Sequence, residues 1–360
     1  MTVSNFQTHI DALSEGFRRL KGIGDNGDAG SDEIAFDEWD WEVGVGLYGE
    51  ARAALDAGDA TKLGRLSRWY EWQIERGLPR PQVNSTAPLL ALTVLAQNDP
   101  RDDWKEVIWR WAEWLVQEMP KTEEGGFQHT VKERDNDRQL WDDTLFMAVL
   151  FLASAGELLD REDWIEEAHY QFLTHVRHLG DVQSGLFFHG WNFIGRHHYA
   201  RALWARGNAW LTIAIPELFR ISPPTGPVAR YLKEVLQTQV TSLRDLQNDE
   251  GMFHTLLDDP TSPVEASGTA GIAYGVLAAV RQGLLDESYL NVVGRALNAV
   301  TERIGADGFL ADVSDGTAMG PDLDFYRKIP NLPTPYGQAL ASLFLMEMNR
   351  CDDAFLARIG

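Results

Sequence analysis

One cysteine, Cys351, stands in 360 residues. It cannot close an internal disulfide and it excludes a thiolate metal cluster, which fits a reducing compartment. Positive charge is scarce too: 32 Lys and Arg against 54 Asp and Glu leave a net charge of −22. That sign argues against nucleic acid or an anionic membrane as partner, because both call for a basic surface. No uninterrupted apolar run reaches the roughly 18 residues of a membrane span. The amino terminus, "MTVSNFQTHIDALSEGFRRL", is polar and acidic where a signal peptide needs an apolar core. A cytoplasmic location is the expectation. Long β-branched alternation is also missing, and only short pieces such as "GLFFHGW" read as extended.

What is present is helical period. "NFQTHIDALSEGFRRL", "ATKLGRLSRWYEWQIERG", "DDWKEVIWRWAEWLVQEM", "REDWIEEAHYQFLTHVRHLG", "VARYLKEVLQTQVTSLRDLQ" and "SYLNVVGRALNAVTERIG" repeat apolar residues at i, i+3, i+4 and i+7 with charges opposite. Between them lie segments that are apolar or small nearly all round, among them "WEVGVGLYGEARAAL", "APLLALTVLAQ", "DDTLFMAVLFLASAG" and "EASGTAGIAYGVLAAV". Such helices belong inside a protein. A second regularity supports the alternation. "GGFQH" at Gly125, "SGLFFHG" at Ser184, "EGMFH" at Glu250 and "DGFL" at Asp307 share a glycine and an aromatic, and they recur at about sixty residues, the signature of stacked supersecondary units. The expected fold is all-α: an (α/α)6 barrel in one domain over 1–360, with dry helices as the inner ring and the Gly-aromatic loops gathered at one end.

Chemistry concentrates in the dry segments. In "RQLWDDTLFMAVLFL", two carboxylates stand at the mouth of an apolar helix. Asp142 reads as a helix-start charge answering the dipole. Asp143 shares its helical face with Phe146, Met147 and Leu150, where desolvation raises a carboxyl pKa and suits it to general acid work. A conventional glycosidase needs a second carboxylate, and Asp37, Asp40 and Glu265 are the candidates in other dry segments. His129, His189 and His254 fall in the repeated loops and are expected to converge on one cavity. Arg206, inside "WARGNAW", must meet either a structural carboxylate or a substrate anion, and its planar fork suits a uronate. Among the 13 Trp, most read as packing residues; Trp210, one turn from Arg206, and Trp204 are candidate platforms for a sugar ring. No metal-ligand spacing is present, and no metal or cofactor is expected.

Taken in order, these segments resemble glycoside hydrolase family 105, the unsaturated rhamnogalacturonyl hydrolases, related to the unsaturated glucuronyl hydrolases of family 88. The resemblance runs through most of the chain: "WDWEVGVGLYG", "GGFQH", "QLWDDTLFMA", "HGW", "WARGNAW" and "EASGTA". It implies the same (α/α)6 barrel and a substrate left by a polysaccharide lyase, a small oligosaccharide with a C4=C5 double bond in its terminal uronate. By position, Asp143 matches the family's catalytic aspartate, which protonates C4 and then, as carboxylate, activates the water that adds at C5. His189, Trp204, Arg206 and Trp210 match substrate-pocket residues, with His129, Asp40 and Trp41 as additions. Members often carry another aspartate ahead of the second inner helix, where this chain reads "PQVNSTAP" and offers Gln82 or Asn84; after the loop histidine it places Thr130 instead of lysine. The alternatives are a sugar epimerase or isomerase of the same shape, with His129 and His189 as proton carriers, and a non-catalytic glycan-binding protein. A monomer or homodimer is expected.

Overall fold

The computed structural model describes residues 3–20, 38–132 and 134–359. In chain order the helices are α1 (Val3–Arg19), α2 (Trp41–Ala57), α3 (Ala60–Arg76), α4 (Val83–Asn98), α5 (Asp102–Gln117), α6 (Leu150–Leu158), α7 (Glu162–Leu179), α8 (Ala205–Ile221), α9 (Gly226–Leu246), α10 (Ala266–Arg281), α11 (Leu290–Glu302), α12 (Leu323–Arg327), α13 (Pro335–Asn349) and α14 (Asp353–Leu356). A π-helical turn, Leu145–Val149, leads into α6. Helices α2, α4, α6, α8, α10 and α13 touch in that order, and α13 returns to α2, closing an inner ring. Helices α3, α5, α7, α9 and α11 each pack against the inner helix before or after them, and α1 packs against α13.

The division follows from side-chain pattern. Outer α5 buries Trp104, Val107, Ile108, Trp111, Ala112 and Leu115, a single stripe at i+3 and i+4 spacing, and leaves its charges wet. Inner α4 buries every residue from Val83 to Ala96 except Asn84. Helices surrounded on all sides must approach closely, and small residues permit it. A Cβ on Gly44 of α2 would lie 2.6 Å from the Pro88 nitrogen of α4, and one on Gly275 of α10 would lie 2.3 Å from the Thr212 carbonyl of α8. Neither contact is sterically possible, so glycine sets the ring's diameter at these two places.

The repeated loops are one structure used four times. Gly125, Gly185, Gly251 and Gly308 all take φ between 74° and 85°, the left-handed region that glycine enters without strain. The residue two positions further on, Phe127, Phe187, Phe253 or Leu310, donates its backbone N–H to Gln171, Asn208, Thr269 or Gln338 respectively. Each loop is thereby anchored to a helix side chain as the chain heads for the next inner helix. Short strands follow. β1 (Gln139–Trp141) pairs antiparallel with β2 (Gly190–Asn192), and β3 (Phe253–His254) with β4 (Val264–Glu265). No helix among the described residues is long and apolar enough to cross a membrane.

All inner helices begin at the same end. Trp41 at the start of α2 stacks on Tyr336 at the start of α13 with ring centroids 4.8 Å apart, and Thr86 near the start of α4 donates to the Met147 carbonyl in the π turn. A Cβ on Gly268 near the start of α10 would lie 3.0 Å from Ala205 at the start of α8. Their positive dipole ends therefore converge on this mouth, a setting that favours an anion.

Candidate active site

The segment before α6 departs from a simple helix start. Gln139 to Trp141 are extended in β1, and the helix opens only at Leu145 with a π turn, a distortion common at functional sites. The carboxylate doublet thus sits between a strand and a π turn, and its two members face differently from the expectation. Asp142 does not cap a helix. It is fully buried, its N–H donates to the His189 carbonyl at 3.1 Å, and neither carboxyl oxygen has a hydrogen-bond partner. Burial and the neighbouring Asp143 push its pKa well above the usual carboxylate range. Asp143 is the open member, with a side chain 19% exposed and Oδ1 3.3 Å from His129 Nδ1. Its surroundings are an imidazole and a mouth rather than a purely apolar wall. Burial raises its pKa to about 7, so it holds a proton near neutrality.

Two of the three loop histidines meet here. His129 stacks on Trp141 with centroids 4.3 Å apart and planes 7° apart, and its Nδ1 bonds the Thr144 hydroxyl at 2.8 Å. His189 stands edge-on to the same Trp141 at 5.3 Å and tilts over Trp204 at 4.4 Å, and its Nδ1 meets the Tyr326 hydroxyl at 2.7 Å. Desolvation lowers the His129 pKa to about 3 and that of His189 well below its ordinary value. Both rings are neutral at physiological pH, so the His129–Asp143 contact is not an ion pair, and both are poor proton carriers for an epimerase. His254 does not join them; its Nδ1 bonds the Ser262 carbonyl at 2.7 Å within the β3–β4 hairpin.

Arg206 is where the expectation of a free uronate clamp meets a different structure. It is 1% exposed. Nη1 donates to the Ser314 carbonyl at 2.9 Å, the Ser314 hydroxyl at 2.6 Å and Ser267; Nη2 donates to the Asp315 carbonyl at 2.8 Å and Thr317. Glu265, the N-cap of α10, lies 3.5 Å away, and the guanidinium is sandwiched between Trp204 and Tyr336. The fork is spent on the 314–317 loop, so Arg206 shapes the mouth from behind. Trp210, also 1% exposed, packs against Phe146 and edge-on to Trp41, and Trp204 is 3% exposed. Both serve as wall rather than as open platforms. Trp41 is the less buried ring, stacked on Tyr336. Asp40 is the N-cap of α2, accepting from the Trp41 N–H at 2.7 Å. Asp37 lies outside the described residues.

A cavity of about 480 Å³ adjoins the mouth, lined by Trp39, Asp40, Gln82, Thr130 and Lys132 among others. Gln82 caps α4 by accepting from the Asn84 N–H at 2.7 Å, which occupies the side chain standing where relatives were expected to carry a carboxylate. Residues the sequence reading did not single out are Trp141, Tyr326, Tyr336 and Glu42. Trp141 was visible beside the doublet, but the strand that aims it was not. Tyr326 and Tyr336 arrive from more than a hundred residues away and left no local signal. Glu42, in the first turn of α2, is pushed up to about 8 by burial and by the neighbouring Asp40, Glu38 and Asp315.

Comparison with known proteins agrees with the ring of helices. Residues 27–352 match the model of Glycosyl Hydrolase Family 88. The chain is 31% identical over 313 residues to the unsaturated rhamnogalacturonyl hydrolase YesR of Bacillus subtilis (strain 168), covering 86% of this chain and 89% of that relative. A solved structure of a possible member of the GH105 family from Klebsiella pneumoniae superposes with a TM-score of 0.93 at 42% identity, over 97% of this chain and 94% of that one. The unsaturated glucuronyl hydrolase of Bacillus sp. GL1 shares the fold, with a TM-score of 0.72 at 18% identity over 96% of this chain and 97% of that one. The family match over residues 27–352, together with a relative 31% identical over most of both chains and the shared ring of helices, establishes that the chain belongs to glycosyl hydrolase family 88.

Proposed function

We propose that this enzyme hydrolyses small oligosaccharides whose terminal uronate carries a C4=C5 double bond, with Asp143 as its acid and base. The observation that carries the reading is the Asp143 carboxyl itself, open to the mouth and with a pKa raised to about 7. A vinyl ether needs a proton delivered to carbon, and one carboxyl near neutral pKa can give that proton and then accept another. The protonated carboxyl donates to C4, and the positive charge that develops is shared between C5 and the ring oxygen. The Asp143 carboxylate then takes a proton from the water that adds at C5. The resulting hemiketal opens by breaking its bond to the ring oxygen, and the hemiacetal left at C1 expels the aglycone as an alcohol. One water is consumed, and Asp143 ends protonated as it began.

The surroundings support this division of labour. Converging inner-helix N-termini favour the uronate carboxylate, Trp141 holds the His129 ring beside Asp143 by stacking on it, and His129 and His189 contribute as neutral hydrogen-bonding groups. Asp40, at the edge of the adjoining cavity, faces the side on which a second sugar would extend. Trp204, Arg206 and Trp210 act by holding that shape. The test is incubation with unsaturated disaccharides produced by pectin, glycosaminoglycan and arabinogalactan lyases, following loss of the double-bond absorbance. Consumption of at least one between about pH 5 and 7 is expected; consumption of none overturns the reading.

A further inference from the structure

The mechanism above leaves Asp142 without a task, yet it is the most expensive side chain in the site to keep. A carboxyl buried without any partner carries the full desolvation cost of its polar atoms, of a size that single substitutions readily expose. The fold nevertheless makes room for it. A Cβ on Gly207 of α8 would lie 1.9 Å from Asp142 Oδ2 and 2.9 Å from Trp204 Cε3, so only glycine at 207 admits the carboxyl, and Trp204 borders the same space. The Asp142 backbone is pinned by its bond to the His189 carbonyl and by the pairing of β1 with β2.

Other unpartnered atoms gather around it. Asp143 Oδ1, His189 Nε2, Trp204 Nε1 and Arg206 Nε are buried and lack a hydrogen-bond partner, as both Asp142 oxygens do. They come from β1 and its sequel, from β2's approach and from α8, and the His189 and Trp204 rings are in contact. Buried polar atoms call for partners, and an enclosed water, which makes two to four bonds, is one means of supplying them.

We propose that Asp142 is a positioning residue of this site: in the space left by Gly207 it joins His189 Nε2 and Trp204 Nε1 in binding one enclosed water, and through that water holds Asp143 Oδ1 and the His189 wall in register. The inner oxygen of Asp143 is then fixed, and its outer oxygen is left to face the substrate. The titratable and charged groups facing Asp142 are Asp143 from its own segment, His189 from the β2 side, His129 across Trp141, Arg206 from α8 and Tyr326 from α12. Both histidines are neutral, and Asp142 itself stays protonated beside an ionising Asp143. The proposal rests on the unsaturated-uronide reading for its kinetics but not for its stability readout.

The test uses Asp142→Ala, Asp142→Asn and Gly207→Ala in the full chain, assayed with whichever unsaturated disaccharide the wild type consumes. For Asp142→Ala the expectation is a fall in kcat of at least about 30-fold with KM within about threefold, the pattern of lost alignment rather than lost binding. Its upper pH limit should move acidward by about one unit, because water entering the emptied space solvates the Asp143 carboxylate. Its melting temperature should equal or exceed the wild type, because the cost of burying a carboxyl among apolar neighbours is gone. Asp142→Asn, which keeps the shape and the hydrogen bonds, should recover about tenfold of the lost kcat and the wild-type pH limit. Gly207→Ala should copy Asp142→Ala by pushing the carboxyl out. A merely structural Asp142 gives the opposite pattern, lower stability with unchanged turnover and pH limit per folded molecule, and that result, or an Ala variant that fails to fold, overturns the proposal. So does an Asn variant no better than Ala. If the wild type consumes no unsaturated uronide, the functional reading fails, while the melting temperatures still decide whether Asp142 is kept for folding.

Discussion

At the mouth of the ring, Asp142 and Asp143 hold their protons near neutrality; at the opposite end of α8, Glu217 is just as buried and behaves in the opposite way. Arg206 and Glu217 are eleven residues apart on that helix, about 16 Å along its axis. Glu217 accepts from the Tyr48 hydroxyl, from Arg52 at 3.0 Å, from the Tyr274 hydroxyl at 2.5 Å and from Arg220 at 2.6 and 2.9 Å. Arg220 and Arg52 hold its pKa far below the usual carboxylate range even though burial alone would raise it. A cavity of about 1120 Å³ at this end, larger than the one beside the mouth, is lined by Arg52, Glu217, Arg281, Glu347 and Arg350. Those side chains pair with one another. The inner helices end here, and guanidinium groups answer their negative dipole ends. Full satisfaction makes this end structural. Incomplete satisfaction at the mouth leaves groups able to exchange protons, which is how perturbed carboxyls come to mark reactive sites.

The comparison can be broken most severely at Asp143. Asp143→Asn should lower kcat by on the order of 10³-fold, the scale of a lost general acid and base, while its melting temperature stays at or above that of the wild type; steady-state assay and calorimetry read the two. Glu217→Gln should invert that pattern. It strands Arg52 and Arg220, costs about 3–5 kcal/mol as a broken buried ion-pair network does, and leaves the pH dependence of surviving activity unchanged, as urea titration and pH–rate profiles would show.

pH sharpens the contrast. Asp143 keeps its proton in the folded chain between its ordinary 3.8 and about 7, where the unfolded chain has lost it. Its contribution to stability is therefore greatest at low pH and is lost as pH rises toward 7. Glu217, with a lowered pKa, contributes stability above its ordinary 4.5 and loses it as pH falls. Denaturation measured from pH 4 to 8 should show Asp143→Asn gaining on the wild type with rising pH, and Glu217→Gln falling further behind over the lower part of that range as Glu217 takes up its charge advantage. In the wild type, kcat/KM should decline above about pH 7 as the acid form of Asp143 disappears. The smallest effect belongs to Trp141→Phe. It keeps a ring against His129 and should change stability by less than about 1.5 kcal/mol, with a modest rise in KM.

Several of these features were legible beforehand for physical reasons. Periodicity separates α5, whose apolar stripe is narrow, from α4, which is apolar all round, because burial on one side and on every side demand different patterns. The Gly-aromatic loops were visible because a left-handed turn needs glycine each time it recurs. Less legible was the orientation of neighbouring side chains. Asp142 and Asp143 are adjacent, and a helical wheel starting at the doublet turns Asp143 onto an apolar face. Ending β1 at Trp141 and starting the helix with a π turn at Leu145 changes that geometry, buries Asp142 and opens Asp143 toward His129. The assignment of Arg206 to a substrate anion rested on its apolar helix; Ser314, Asp315 and Thr317, a hundred residues on, take its donors.

The sequence by itself determined that wet and dry helices alternate, that they pair in units of about sixty residues, and that an acid stands at the head of the third dry helix, because those properties are written in local period and residue type. Only the tertiary structure decided which acid is exposed, which arginine is spent and which cavity is lined by ion pairs. A pKa or a hydrogen bond depends on what arrives from elsewhere in the chain, and Tyr326, Tyr336, Ser314 and Gly207 reach Asp142, Asp143 and Arg206 only when the ring closes.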